Sequence, residues 1–170
     1  MQIVDQIDKN DIIGEANFAK SSLRSVKQTD VPLLLNALKN SIHIQNFLPT
    51  AVQMTSQDIL KSYIREHKSL VWDTGSGIAT WLILHPKDEE VWLEFMTFTE
   101  FLGRGYMKLS LQELLLNTDT RILAEADTEN VISTHLLTCL GQKISTRVGP
   151  GYYQGKVSTR TYEIFCLPRL

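Results

Sequence analysis

Two glycines one residue apart, Gly103 and Gly105, stand between a run of strand character from Val91 to Phe98 and the helical spacing of Met107, Leu111, Leu114 and Leu115. A strand that enters a Gly-x-Gly turn and then a helix points backbone N–H groups outward at the positive end of the helix dipole, which suits a phosphate. The glycines allow close approach, and Arg104 offers a charge-assisted contact. The same residues also read as a tight strand-to-helix turn without a ligand. Neither a third glycine nor a following Lys-Ser/Thr pair is present, so the turn matches neither a dinucleotide fingerprint nor a Walker loop.

The remaining chemistry-bearing residues narrow the field by what they do not form. Strand alternation places Trp92, Glu94, Met96 and Phe98 on one face, so Glu94 is either a site carboxylate or a solvated one on a strand face. The four histidines lack metal-ligand spacing, and no nucleophile triad is evident. Cys139 and Cys166, the two cysteines, make neither a disulfide framework nor a zinc site, so no metal is expected and a reducing compartment fits. A net charge of −2 gives no global pull toward nucleic acid or an anionic membrane. The segment Met1 to Asp8 lacks the basic start and apolar core of a signal peptide, and no apolar run approaches the roughly 20 residues of a membrane span. A cytoplasmic protein, neither exported nor membrane-spanning, is the expectation.

At 170 residues and 43% hydrophobic composition, the chain fits a single domain over 1–170 with a substantial core, and no repeat or linker divides it. Residues 1–21 form an extension whose structure the sequence leaves open. Ser22 to Val26 alternates like a strand, and Thr29-Asp30 with Pro32 opens a helix carrying Leu34, Ala37 and Leu38. Asn40 to Met54 has no clean period, after which Thr55 to Asp58 caps a second helix with Ile59, Leu60, Tyr63 and Ile64 on its buried face. Ser69–Trp72 and Ile78–Leu84 read as a hairpin, with Val91–Phe98 as a longer strand after it. Beyond the glycine turn and its helix come a strand at Ile122–Ala126, a helix at Val131–Leu140 ended by Gly141, and two last strands joined at Gly149-Pro150-Gly151. The three tryptophans, Trp72, Trp81 and Trp92, are expected to pack in the core or along strands.

The succession of strand, Gly103-Arg104-Gly105-Tyr106, helix, strand, Asn130, helix and Gly141 resembles the GNAT acetyltransferases from about Leu23 to Phe165. The closer similarity is to the branch of ribosomal-protein N-terminal acetyltransferases. Its marks here are Gly103, Gly105, Tyr106 and Met107, followed by Asn130, Ser133, Leu137, Leu140 and Gly141. Leu102 departs from the polar first position of the superfamily's phosphate motif, and Gln142 replaces the aromatic residue usual after the late glycine.

The resemblance implies an α/β (α+β) fold, with a mixed, mostly antiparallel sheet flanked by helices. It implies acetyl-CoA as cosubstrate, with Phe98, Gly103, Arg104, Gly105, Tyr106, Met107, Asn130 and Ser133 as the residues that meet coenzyme A. The implied reaction moves the acetyl group directly to a primary amine, at a peptide terminus or on a small molecule. It needs an outlet for the amine proton and a proton for the departing thiolate. Glu94 is the implied base. The acid is Ser133, because the helix position where many relatives carry tyrosine is Leu137 here, and Tyr152 is a further hydroxyl near the acceptor. His43, Phe47 and Tyr153 fall in regions that the resemblance assigns to the acceptor pocket. Asn130 also reads as a helix-start residue, Ser133 as a solvent-facing helix serine, and His43 as an ordinary polar residue. An alternative function is a coenzyme A-binding module without efficient turnover. Pairing as a homodimer and the acceptor's identity are left open.

Overall fold

In the computed structural model, which describes residues 21–168, the elements alternate much as the periodicities require. In chain order they are β1 (Ser22–Ser25), a 3-10 turn (Gln28–Asp30), α1 (Val31–Asn40), α2 (Ile42–Phe47), α3 (Pro49–Gln53), α4 (Gln57–Glu66), β2 (Lys68–Asp73), β3 (Ile78–Lys87) and β4 (Glu90–Thr97). A second 3-10 turn (Thr99–Phe101) leads to α5 (Tyr106–Leu116), β5 (Arg121–Asp127), α6 (Val131–Leu140), β6 (Gln142–Tyr153) and β7 (Lys156–Leu167). Residues 1–20 of the 1–21 extension lie outside the described residues.

The strands form one seven-stranded sheet in the order β1-β2-β3-β4-β5-β7-β6. Every neighbouring pair is antiparallel except β4 and β5, which run parallel because α5 carries the chain back between them. Tight turns set the antiparallel registers. Gln154 and Gly155 both take positive φ between β6 and β7, the geometry of a two-residue hairpin loop. Alternation along β3 and β4 divides the core between the two faces of the sheet. Trp81, Ile83, Met96 and Phe98 pack with Val31, Leu34 and Leu38 of α1 and Leu60 of α4, while Leu82, Leu84 and Leu93 pack with Met107, Leu111 and Leu115 of α5 and Leu137 of α6.

Several expectations change in detail. The aperiodic stretch after Asn40 forms two short helices, with Pro49 opening the second, where its missing N–H is harmless. Ser56 caps α4 by accepting from Ile59 N–H, yet Ile59 itself is 45% exposed rather than on the buried face. Strand β3 continues past Leu84 through His85 and Pro86. The pairing with β2 stops at Leu84, so Pro86 lies where β3 has one neighbour and its missing donor breaks no ladder on that side. Gly149-Pro150-Gly151 is not a connection but part of β6. There Gly151 makes room for the Tyr162 hydroxyl, which would overlap an added Cβ, and Pro150 is tolerated because β6 is the edge strand. Trp72 and Trp81 are core residues, whereas Trp92 is only half-buried.

Gly141 fixes α6 against the sheet. A Cβ at this position would lie 2.6 Å from the Cys166 carbonyl oxygen and 2.7 Å from Leu167 Cδ2, so the helix end sits directly on β7. Gly141→Ala is expected to lower the unfolding free energy by about 1–3 kcal/mol through this forced shift, read from the urea midpoint of the variant against the native chain.

Candidate active site

The parallel pair β4 and β5 stays together only from Glu90↔Arg121 to Leu93↔Ala124. Beyond that point β4 continues to Thr97 paired with β3 alone, and β5 continues to Asp127 paired with β7 alone. The two strands therefore part like the arms of a V, and the backbone groups of β4 that face away from β3 have no strand opposite them. A cavity of about 860 Å³ occupies this gap, lined by Glu94 to Thr97 on one arm and Glu125 to Asp127 on the other.

The glycine turn lies at one end of this cleft. Gly103 and Gly105 adopt φ of 72° and 78°, in the left-handed region, and an added Cβ at either would meet nothing within 4 Å. Their backbone conformation, rather than crowding, requires glycine here. Gly105 occupies the N-cap position of α5 and its carbonyl accepts from Leu109 N–H at 3.2 Å, so the first N–H groups of the helix precede the intrahelical ladder and are oriented for an anion. Gly103, Gly105, Tyr106, Met107 and Lys108 all line the cavity. Met107 is buried against the sheet, and Tyr106 meets Phe101 edge-on at 5.8 Å. The Arg104 guanidinium lies 5.7 Å from the Phe101 ring centre, outside the cavity lining.

On the opposite arm, Asn130 caps α6, its side-chain oxygen accepting from Ser133 N–H at 3.3 Å, so its helix-start role is realised while the residue also lines the cavity. Ser133 is half-buried at the cavity wall, and its hydroxyl has no hydrogen bond among the described residues. Leu137, one turn further, is fully buried among the α5 leucines and presents nothing to the cleft.

The floor between the arms holds Glu94. One carboxylate oxygen, Oε2, accepts from the Thr50 hydroxyl and faces His85 Nε2, each at 3.3 Å; the other, Oε1, is buried with no partner among the described residues. His85 in turn meets His67 edge-on at 5.0 Å, and His67 stacks on Tyr63 at 4.2 Å. Burial, reinforced by the nearby Glu94 charge, pushes the Tyr63 phenol up to about 12, so it stays protonated through the neutral range. His43 donates from Nε2 to the Thr97 carbonyl at 2.9 Å, which leaves Nδ1 as the acceptor in the neutral ring.

The cleft gathers Glu94, Ser133, Tyr152, Gly103, Gly105, Tyr106, Met107, Asn130, His43 and Phe47 around one cavity. It does not gather all the residues named from the sequence. Phe98 is 2% exposed in the core beneath α1, and Tyr153 packs against Phe47 at 5.1 Å and under Arg160 at 4.6 Å, outside the lining. Thr50 and His85 are additions to the lining, and Tyr63 packs behind them against His67 and Trp81. His85 was legible in principle, two residues beyond Ile83 on the same strand face, had the strand been carried past Leu84. The Thr50 and Tyr63 contacts cross between elements and leave no mark in local spacing.

No protein-family model matches the sequence, and neither does any curated protein. Solved structures do match the fold. The ribosomal L7/L12 alpha-N-protein acetyltransferase RimL in complex with coenzyme A superposes with a TM-score of 0.74 at 18% identity, covering 88% of this chain and 96% of its own. The ribosomal-protein-S5-alanine acetyltransferase from Vibrio fischeri gives 0.72 at 14% identity, with 88% and 93% covered. Spermidine N-acetyltransferase from Vibrio cholerae, in complex with coenzyme A and spermine, gives 0.68 at 15% identity, with 89% and 98% covered. The fold of this chain is that of the GNAT acetyltransferases.

The left-handed backbone at Gly105 gives a direct check on the turn. Gly105→Asn is expected to stay within about 0.5 kcal/mol of the native stability, since asparagine tolerates this region, whereas Gly105→Val loses about 1–3 kcal/mol; denaturation midpoints of the two variants measure the difference.

Proposed function

We propose that the protein is an acetyl-CoA-dependent N-acetyltransferase that acts on a primary amine by direct transfer. The observation that carries this reading is the parting of β4 and β5 after Leu93, with the glycine turn and the start of α5 at one end of the same cleft. The residues fit coenzyme A. The N–H groups from Gly103 to Lys108 would take the pyrophosphate, and the Lys108 ammonium adds charge at the first turn. The open edge of β4 from Glu94 to Thr97 would take the amides of the pantetheine arm, with Asn130 across the cleft. The N-acetyltransferases of the same fold that bind coenzyme A support this assignment.

In the reaction the amine nitrogen attacks the thioester carbonyl carbon, the C–N bond forms, the C–S bond breaks, and coenzyme A leaves as a thiol. The amine must give up a proton, and Glu94, fixed by Thr50 and His85, is the carboxylate at the cavity floor that takes it. The thiolate needs a proton, and Ser133 is the hydroxyl on the coenzyme side of the cleft, with Tyr152 on the far wall. A second reading, a coenzyme A-binding module with little turnover, draws on one observation. The helix position that bears a tyrosine in many GNAT enzymes is Leu137, sealed in the core, so the acid rests on a serine.

Three measurements separate these readings. Saturating acetyl-CoA should raise the melting temperature, by an amount equivalent to about 2.7 kcal/mol at 100 times Kd, and Gly105→Glu should abolish the rise; no rise in the native chain sinks both readings. Acceptor-dependent thiol release supports the enzyme, and binding without release across a panel of amines supports the module. Glu94→Gln should lower kcat about 10²-fold and alter the pH–rate profile, while Ser133→Ala should lower kcat with acetyl-CoA affinity unchanged. Native kinetics in these variants overturns the two assignments.

A further inference from the structure

The acceptor half of the cavity is defined by its charges. Among the described residues three carboxylates line the cleft: Glu94, Glu125 and Asp127. Glu125 is held by the Arg147 guanidinium through two hydrogen bonds of 2.6 and 2.7 Å, and Arg147 is covered by the Tyr162 ring at 4.1 Å. Asp127 is held by the guanidinium of Arg160, which also binds Glu129 at 3.0 Å. An arginine is permanently cationic, so each of these two carboxylates has a cationic partner, Arg160 sharing its charge with the exposed Glu129 outside the lining. Among the described residues Glu94 has no guanidinium or ammonium partner; its neighbours are the Thr50 hydroxyl and His85, each at 3.3 Å.

The walls around Glu94 are apolar and aromatic. Ile44, Phe47 and Leu48 come from α2 and the residue after it, Trp92 from β4, and Tyr152 from β6. The cleft is also bridged. Gln154 N–H donates to the Asn46 carbonyl at 2.9 Å, and Phe47 meets Tyr153 at 5.1 Å, so the β6–β7 turn is tied to the end of α2. Residues on both sides of this tie, Phe47 to Thr50 and Pro150 to Tyr152, line the cavity.

Resting on the acetyl-transfer reading above, we propose that the acceptor is a small primary amine with a single cationic nitrogen next to an aromatic or branched apolar group. The nitrogen meets Glu94, and the apolar group fills the space among Phe47, Leu48, Trp92 and Tyr152. An ammonium beside aromatic faces is further favoured by their quadrupoles. A polyamine brings additional ammonium groups, and each needs a carboxylate or water that these walls do not supply. A peptide extends its chain away from the amine, toward the tie between Asn46 and Gln154.

Calorimetric titration of the full chain, alone and with coenzyme A, tests the inference with 2-phenylethylamine, spermidine and a phenylalanine-initiated tetrapeptide. The expected result is a Kd for 2-phenylethylamine at least tenfold below those of the other two, raised tenfold or more in Glu94→Gln and in Trp92→Ala. Equal or tighter binding of spermidine overturns the single-charge argument. Tighter binding of the tetrapeptide overturns the small-molecule assignment, and undetectable binding of 2-phenylethylamine overturns the whole. Coenzyme A that fails to bind in the same titrations removes the acetyl-transfer reading, while the amine titrations of the protein alone still decide the pocket.

Discussion

Everything at the site depends on two parallel strands that pair for four residues and then separate. A parallel pair is obliged to have a crossover, and here that crossover is α5, whose first turn therefore starts beside the end of β4. The same separation leaves hydrogen-bonding groups of β4 without a strand opposite them. Unmatched backbone groups at the centre of a sheet are costly unless water or a ligand reaches them, so the gap is maintained by what flanks it rather than by its own contacts. Two independent cores do this. One packs β3 and β4 against α1 and α4 on one face of the sheet, and on the other face the second packs β3, β4, β5 and β7 against α5 and α6, so both arms of the cleft are held from the faces of the sheet.

Glu94 shows what such a gap costs. Its Oε1 is buried with no partner among the described residues, a loss of about 1–3 kcal/mol for a group of this kind. The surrounding structure holds the side chain in place regardless: Thr50 from α3 and His85 from β3 fix Oε2, and the row His85, His67, Tyr63 packs ring against ring down to the core at Trp81. A carboxylate fixed in this way gains little from the fold itself. Breaking a local rule without a stabilising return is what a site of chemistry looks like against the consistency of the rest of the chain.

Local rules made the helices and the glycine turn legible, and contacts across elements hid the rest. Met107, Leu111, Leu114 and Leu115 fall on one face, and Gly103 and Gly105 take the conformation that only their position between strand and helix demanded. Gly149-Pro150-Gly151 carries the strongest turn chemistry after Gly141 and yet is strand, because an edge strand forgives a proline and a neighbouring tyrosine needs the space over Gly151. Pro86 hid the end of β3, and His85 with it, for the same reason: strand order, which no local spacing encodes, decides where a missing donor matters. Phe98 and Tyr153 followed the strand period and the chain order faithfully, but the side chains of neighbouring elements determine which face is cleft and which is core.

The two arginines on β6 and β7 are the least predictable part of the site and set its electrostatics. Arg147 and Arg160 each cross from their own strand to a carboxylate on β5, and each lies over a tyrosine ring. Without them the β5 arm would carry the uncompensated charges of Glu125 and Asp127 opposite Glu94, an acidic cleft suited to a polycation. With them Glu125 and Asp127 are each held by a guanidinium, and Glu94 on the opposite arm is the lining carboxylate that, among the described residues, has none. These pairs lie in neither the glycine turn nor the cap of α6, which is why the end of the cleft at the glycine turn can be read from short motifs and the end proposed for the acceptor cannot.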